Sequence, residues 1–429
     1  EAAYILKRKF NISQTYLTDS QNCRAKNSGD IHVKKLSLAV FNTQPPHLYF
    51  GGVERRIVET AKKFRNEVVT TVYSGTKAGF RKPALLNETA FVPCFSTDTL
   101  FPVDNWFFNR TLAGAVDVIK ADVYEAHTVS GYGFLKALRK CSIKKPFVQT
   151  VHGVLADEYM QSFQAGSPTF RAKLANLIMW QLSRLEGESA KKATLVVTVS
   201  KYSRNKIIQF YDVDKTKIRI VPNGVDLQRF KPVHSSKSIK RQIGIDSKFC
   251  VLFVGRLIPR KGLPFLIEAA KHIVKEFKET IFVIVGNGPL KNHLMAYLRK
   301  INLSSNFLFL GDVNENALPA IYNCADVFTL PSMQEGLGIA LLEAQATSTP
   351  VVAFDVGGVH EAMVDKETGL LVKPDSFKLA DAILKLLSSR PFREKTGSKG
   401  REFVSNNFSW DICAQRMLQV YREALSAVN

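Results

Sequence analysis

The feature that most constrains this chain is an alternation of buried-strand runs with helix-period stretches, which begins at Leu36 and restarts at Phe249. The first series of apolar runs is Leu36 to Phe41, Val68 to Val72, Val123 to Ala126, Phe147 to Val151, Leu195 to Val199 and Ile218 to Val221. Ile57, Val58, Ala61 and Phe64 repeat at helical spacing just after the first run, so Gly51-Gly52 marks a turn between strand and helix. The second series is Phe249 to Val254, Ile281 to Val285, Phe307 to Leu310, Val327 to Leu330 and Val351 to Phe354. Within it Leu263, Leu266, Ile267, Ala270, Ile273, Val274 and Phe277 line one helical face. Strands that alternate with helices predict an α/β fold with a parallel, doubly wound sheet, and two series predict two such domains. Open parallel sheets bind ligands at the carboxyl ends of their strands, so two sheets facing each other predict a cleft lined by those loops.

At 429 residues the chain exceeds what one core usually supports, which agrees with that division. The polar, basic stretch from Lys231-Pro232 to Ser238 suits a linker. The expected boundaries are 35–232 for the first domain and 233–408 for the second. Residues 1–34 form an N-terminal extension expected to be poorly ordered; Lys7-Arg8-Lys9 is followed by a half-polar segment, unlike a signal peptide. Residues 409–429, with Ser409 ahead of Trp410, Ile412, Met417, Val420 and Tyr421, predict a capped amphipathic helix.

Charge narrows the partners. The formal net charge of +21 attracts polyanions, which leaves nucleic acid, an anionic membrane surface and phosphorylated substrates. The apolar runs fall far short of the ~20 residues of a membrane-spanning helix. The six cysteines are scattered without a C-x-x-C pair, as expected of reduced, buried thiols in a cytoplasmic protein. Asp212-Val213-Asp214 spells D-x-D, but it lies away from every other motif and is read as chance, so no metal is expected.

Two constellations carry the chemistry. In Val254-Gly255-Arg256-Leu257-Ile258-Pro259-Arg260-Lys261-Gly262, a strand delivers Arg256 and Lys261 into the loop before a helix. A fork-shaped and a point-charge cation at a strand end suit a diphosphate. In Pro331-Ser332-Met333-Gln334-Glu335-Gly336-Leu337-Gly338-Ile339 and on to Glu343, Glu335 marks a loop-to-helix junction. The amides of Leu337, Gly338 and Ile339 there would face an anion, with Glu343 two helical turns on and near the same face. Such a pair can grip a sugar hydroxyl and a ribose diol.

With G-R-x-x-x-x-K-G at Gly255–Gly262, G-N-G-P-L at Gly286–Leu290 and E-x-x-x-x-x-x-x-E at Glu335 and Glu343, the chain from about Lys35 onward resembles the retaining GT-B glycosyltransferases of family four, the group 1 transferases. The resemblance implies two Rossmann-like domains facing across a cleft, an acceptor domain at 35–232 joined by the C-terminal helix 409–429 and a nucleotide-sugar donor domain at 233–408. It implies that Arg256 and Lys261 bind the donor diphosphate and stabilise the leaving group, the electrostatic role expected to dominate. Glu335, with Gly336 and the amides after it, would hold the transferred sugar, and Glu343 the ribose. Gly286 and Gly288 would let the backbone approach the nucleotide. Gly51 and Gly52 resemble the family's first glycine-rich loop, and His152, at a strand end before Gly153, would stand beside the transferred sugar. His127, Ser200 and Arg204 are the acceptor-side residues implied, although Ser200 also reads as a helix cap.

The implied donor is a nucleotide sugar such as a UDP- or GDP-hexose, a substrate rather than a cofactor. The implied acceptor is a glycan or lipid-linked saccharide. Arg171, Lys173 and Arg184 beside Leu174, Leu177, Ile178, Trp180 and Leu182 fit peripheral attachment to an anionic bilayer or a packed helix with a wet edge. Three rival classes stay open: a GT-B epimerase or phosphorylase, a dinucleotide oxidoreductase, and a noncatalytic basic protein that binds nucleic acid or membrane. The oxidoreductase lacks its third glycine at Lys291, and no nucleic-acid-binding module is recognisable, so nucleic acid is not expected.

Overall fold

The computed structural model describes residues 35–428 except 50, 100, 165–169, 234, 235 and 247. The expected extension at 1–34 lies outside the described residues. Two compact units emerge: one runs to Val199 and takes in Ser203–Val221 and Cys413–Asn429, and the other comprises Ser200–Tyr202 and Pro222–Ile412.

In the first unit the strands are β1 (Leu36–Asn42), β2 (Val68–Gly75), β3 (Ala84–Leu86), β4 (Thr89–Cys94), β5 (Val123–His127), β6 (Phe147–Val151), β7 (Leu195–Thr198) and β8 (Ile218–Ile220). They form one sheet in the order β3-β4-β2-β1-β5-β6-β7-β8. Every pairing is parallel except β3 with β4. Apolar side chains on both faces explain why helices cover the sheet on each side. Phe41, Tyr124, Phe134 and Phe147 lie in its core.

The second unit contains β9 (Phe249–Val254), β10 (Thr280–Val285), β11 (Phe307–Gly311), β12 (Val327–Leu330), β13 (Val351–Phe354) and β14 (Gly369–Val372). Their order is β11-β10-β9-β12-β13-β14, all parallel. Val251, Phe253, Ile284 and Phe354 are wholly buried in its core. The winding reverses between β1 and β5 in one sheet and between β9 and β12 in the other, and such a reversal is where open sheets leave a crevice.

The sequence pattern finds eleven of these strands and misses β3, β4 and β14. β3 and β4 form an antiparallel hairpin whose turn residues Asn87 and Glu88 both have positive φ, 48° and 64°. Glu at such a position is not a turn signal, which hid the hairpin. The unit boundary also differs from the expected one, falling at Val221/Pro222 instead of Lys231-Pro232. The intervening residues belong to the second unit because they are tied into it. Val225 bridges Ser409, Arg229 pairs with Glu315 at 3.0 Å, and Arg401 binds the carbonyls of Leu227 and Phe230.

Candidate active site

In the second unit the two charged constellations follow β9 and β12, the strands that flank the reversal. The Met333 amide donates to the Arg260 carbonyl at 2.8 Å, which locks one loop to the other. Lys261 Nζ forms an ion pair with Glu335 Oε1, and Ser332 Oγ donates to the same oxygen at 2.8 Å. Glu335 is buried, and burial alone would raise its pKa. The charges of Lys261 and Arg260, with hydrogen bonds from Lys261 and Ser332, outweigh burial and hold it below the ordinary carboxylate value. Arg256 is exposed.

The helix after this loop spans Ile339–Ala346, and Gly338 precedes it at φ 92°, ψ 75°. Glu335 therefore lies four residues ahead of the helix, not on it, and the helical spacing to Glu343 does not describe the pair. Gly336 is half-buried, Leu337 is buried, and Ile339 opens the helix. Glu343 is itself buried and accepts a 2.8 Å hydrogen bond from Tyr322 OH.

Gly286 and Gly288 have a structural role within the protein itself. A Cβ at Gly286 would collide with the Gly255 carbonyl, and one at Gly288 with Leu257. The loop after β10 is laced to the loop after β9 by Gly255 N to Val285 O at 3.0 Å and Leu257 N to Asn287 O at 2.9 Å. These glycines let two protein loops approach, which fixes the backbone that carries Arg256.

In the first unit, Gly51 and Gly52 open the helix Gly52–Phe64, where Glu54 stands in the first turn. Its carboxylate folds back toward Gly51, and Asn42 Nδ2 donates to it at 3.4 Å. The Glu54 carboxylate accepts from its own amide, so the chain's own carboxylate serves that helix end. His127 ends β5 and His152 follows β6, one strand over. His127 Nδ1 and His152 Nε2 are 2.8 Å apart. Burial dominates and keeps both rings neutral: His127, raised by Glu125 but lowered by burial and Arg56, falls to about 4, and His152, lowered further by His127 and Arg56, falls well below its ordinary value. His127, expected on the acceptor side, is only 1% exposed and stands behind His152.

The loop after His152 is anchored from below. Glu186 Oε2 accepts from the Leu155 amide at 3.0 Å and from Tyr211 OH at 2.6 Å, and Tyr211 OH accepts from the Ala156 amide at 3.1 Å. With burial dominating and only neutral donors around it, the Glu186 carboxyl is pushed up to about 8.

The remaining expected positions divide. Ser200 is buried, and the amides of Lys201 and Tyr202 after it donate to Glu361 at 2.7 and 2.9 Å, so a carboxylate serves that helix start. Arg204 is half-buried with Nε unpaired among the described residues. Asp214 accepts from the Thr216 amide and Asp212 pairs with Lys191 at 3.6 Å, so the D-x-D has local structural work. Among the described residues no three His, Cys, Asp or Glu side chains gather as metal ligands, and no helix is long and apolar enough to cross a membrane. Cys94, Cys250, Cys324 and Cys413 are buried, but Cys141 is exposed at the end of a helix, against expectation.

The glycosyl transferases group 1 model matches residues 235–403, and the Glycosyltransferase Family 4 model matches residues 50–229. An uncharacterized glycosyltransferase of Methanocaldococcus jannaschii is 30% identical over 323 residues, covering 74% of this chain and 79% of that protein. The chain belongs to the group 1 glycosyl transferases. A Mycobacterium tuberculosis relative, a GDP-mannose-dependent alpha-(1-6)-phosphatidylinositol monomannoside mannosyltransferase, is 32% identical over 53% of this chain and 61% of its own length. Sucrose-phosphate synthase from Thermosynechococcus elongatus shares the GT-B fold, with a TM-score of 0.76 and 22% identity over 92% of this chain and all of that one.

For this glycosyltransferase, sequence reasoning missed several residues that hold the site. Gly357 and Gly358 follow β13, and a Cβ on either would strike the carbonyl of Glu335 or Gly336; the Gly358 amide donates to Glu335 O at 2.9 Å. The signal was a Gly-Gly pair just after a strand, the pattern recognised at Gly51-Gly52. Ser332 sits inside the quoted motif, three residues before Glu335, without a role assigned to it, and Tyr322 carried no comparable signal, because only the fold brings it to Glu343.

Proposed function

We propose that this glycosyltransferase moves a hexosyl group from a nucleotide-diphosphate sugar, such as a UDP- or GDP-hexose, to a glycan or lipid-linked saccharide, with retained anomeric configuration and without a metal. The observation that carries the reading is the grouping of Lys261, Glu335 and Ser332 at the sheet reversal, with the exposed Arg256 on the adjoining loop. Two cations there suit a diphosphate, and they favour the charge that grows on it as the sugar departs. Lys261 holds Glu335 ionised, so its carboxylate can accept sugar hydroxyls. Glu343 serves the ribose, and His152 stands by the transferred sugar. In the reaction the bond from the anomeric carbon to the leaving phosphate breaks, and the acceptor oxygen bonds to that carbon on the same face. The acceptor proton passes to the leaving phosphate oxygen, so no protein nucleophile is used.

The named M. tuberculosis relative supports a nucleotide-sugar donor and a lipid-borne acceptor. Exposed Leu174, Leu177 and Trp180, with Arg184 stacked 5.2 Å from the Trp180 ring, support an acceptor presented on an anionic lipid surface. The test is release of nucleoside diphosphate from UDP-, GDP- and ADP-sugars, with and without acceptor glycolipid in anionic vesicles. One donor should stand out and respond to the acceptor; no release from any donor by folded protein would refute the proposal.

A further inference from the structure

Beneath His152 the first unit buries a chain of polar groups that donor binding alone does not require. His152 Nε2 meets His127 Nδ1 at 2.8 Å, and His127 Nε2 faces Glu125 Oε1 at 3.5 Å. Glu125 Oε1 also accepts from Thr150 Oγ1 at 2.6 Å, and Glu125 Oε2 accepts from Tyr421 OH. A cavity of about 10 Å³, room for about one water, adjoins the pair and is lined in part by Thr70, Glu125, His127 and Tyr421. At the far end, His152 Nδ1 is buried with no hydrogen-bond partner among the described residues.

We propose that Glu125 and His127 are positioning residues that set the tautomer of His152, so that its Nδ1 presents a lone pair to a hydroxyl of the bound substrate. The hydrogen-bond order is directional. Both Glu125 oxygens already accept from hydroxyls, so the proton facing Glu125 belongs on His127 Nε2. A neutral His127 then offers Nδ1 as an acceptor, and the proton in the 2.8 Å contact belongs to His152 Nε2. His152 Nδ1 is left as an acceptor. The opposite order would put an N–H there, which could only donate to a substrate oxygen and could not accept the hydroxyl proton. Tyr421 joins the chain from the helix Trp410–Ser426, which gives the C-terminal segment a direct part in tuning this histidine. The inference rests on the reading of His152 as a residue beside the transferred sugar.

The test is a long-range proton–nitrogen correlation spectrum of the full chain labelled with nitrogen-15 histidine, in the wild type and in Glu125→Gln. Loss of one pair of signals in His152→Asn and of another in His127→Asn assigns the two rings. The expected wild-type pattern has Nε2 protonated and Nδ1 bare on both rings; a protonated His152 Nδ1 would overturn the proposal without any variant. In Glu125→Gln the carboxamide can donate to His127 Nε2, so both rings should switch to the Nδ1-protonated form, and kcat/KM should fall about tenfold or more. A merely structural Glu125 would lower stability and leave both ring patterns unchanged, which counts against the proposal. A switched tautomer with unchanged turnover would support the chain and instead refute the placement of His152 beside the substrate.

Discussion

Glu335 in the second unit and Glu186 in the first are both buried carboxyl groups, and both receive a hydroxyl hydrogen bond at 2.6–2.8 Å. Their chemistry nevertheless runs in opposite directions. Glu335 has the cations Lys261 and Arg260 beside it, which outweigh burial and keep it charged. Glu186 has a tyrosine and a backbone amide, and burial prevails, so it is held protonated up to about pH 8. The difference shows how one residue type is held charged in one unit and neutral in the other, with the neighbours deciding which.

Removing the cation should have the larger effect. Lys261→Ala leaves Glu335 buried with Arg260 as its remaining cation and is expected to destabilise the chain by about 3 kcal/mol in urea unfolding. The double variant Lys261→Ala with Glu335→Gln should recover much of that loss, while neither variant turns over donor. If the double variant is as unstable as the single one, the ion pair is not what holds Glu335.

A smaller effect separates the two carboxyls by pH. The folded pKa of Glu186 lies above its unfolded value of about 4.5, so its contribution is full below pH 4.5 and is lost as pH rises through about 8. The limiting slope is ~1.4 kcal/mol per pH unit for one proton. Glu335 has the reverse sign: its contribution is present above the unfolded value and lost as pH falls through its depressed folded value. Thermal melts at pH 5.5 and pH 9 should therefore show Glu186→Gln gaining more on the wild type at the higher pH. An equal difference at both values would mean that Glu186 is not protonated in the fold.

Much of this was legible in the chain, and the reasons for the gaps are physical. Strands such as Phe147–Val151, Phe249–Val254 and Val327–Leu330 coincide with uninterrupted apolar runs, since a central parallel strand is buried on both faces. Lys261 and Glu335 are 74 positions apart, and their motifs marked each as a ligand for substrate; only the sheet order shows that they also bind each other. Glu186 and Tyr211 lay inside helical stretches with nothing local to distinguish them. The glycines at 286 and 288 stood out as a close-approach pattern, and the fold shows one close approach they permit, loop against loop.

The most direct test of the donor site is the affinity of UDP and GDP for the wild type and for Arg256→Ala, measured by calorimetry. Arg256 is exposed, so its removal should leave the fold intact. The account predicts that one nucleotide binds the wild type and that the substitution weakens it about tenfold or more, a loss of ~1.4 kcal/mol. Equal affinity in the two proteins would contradict the assignment of the diphosphate to this loop.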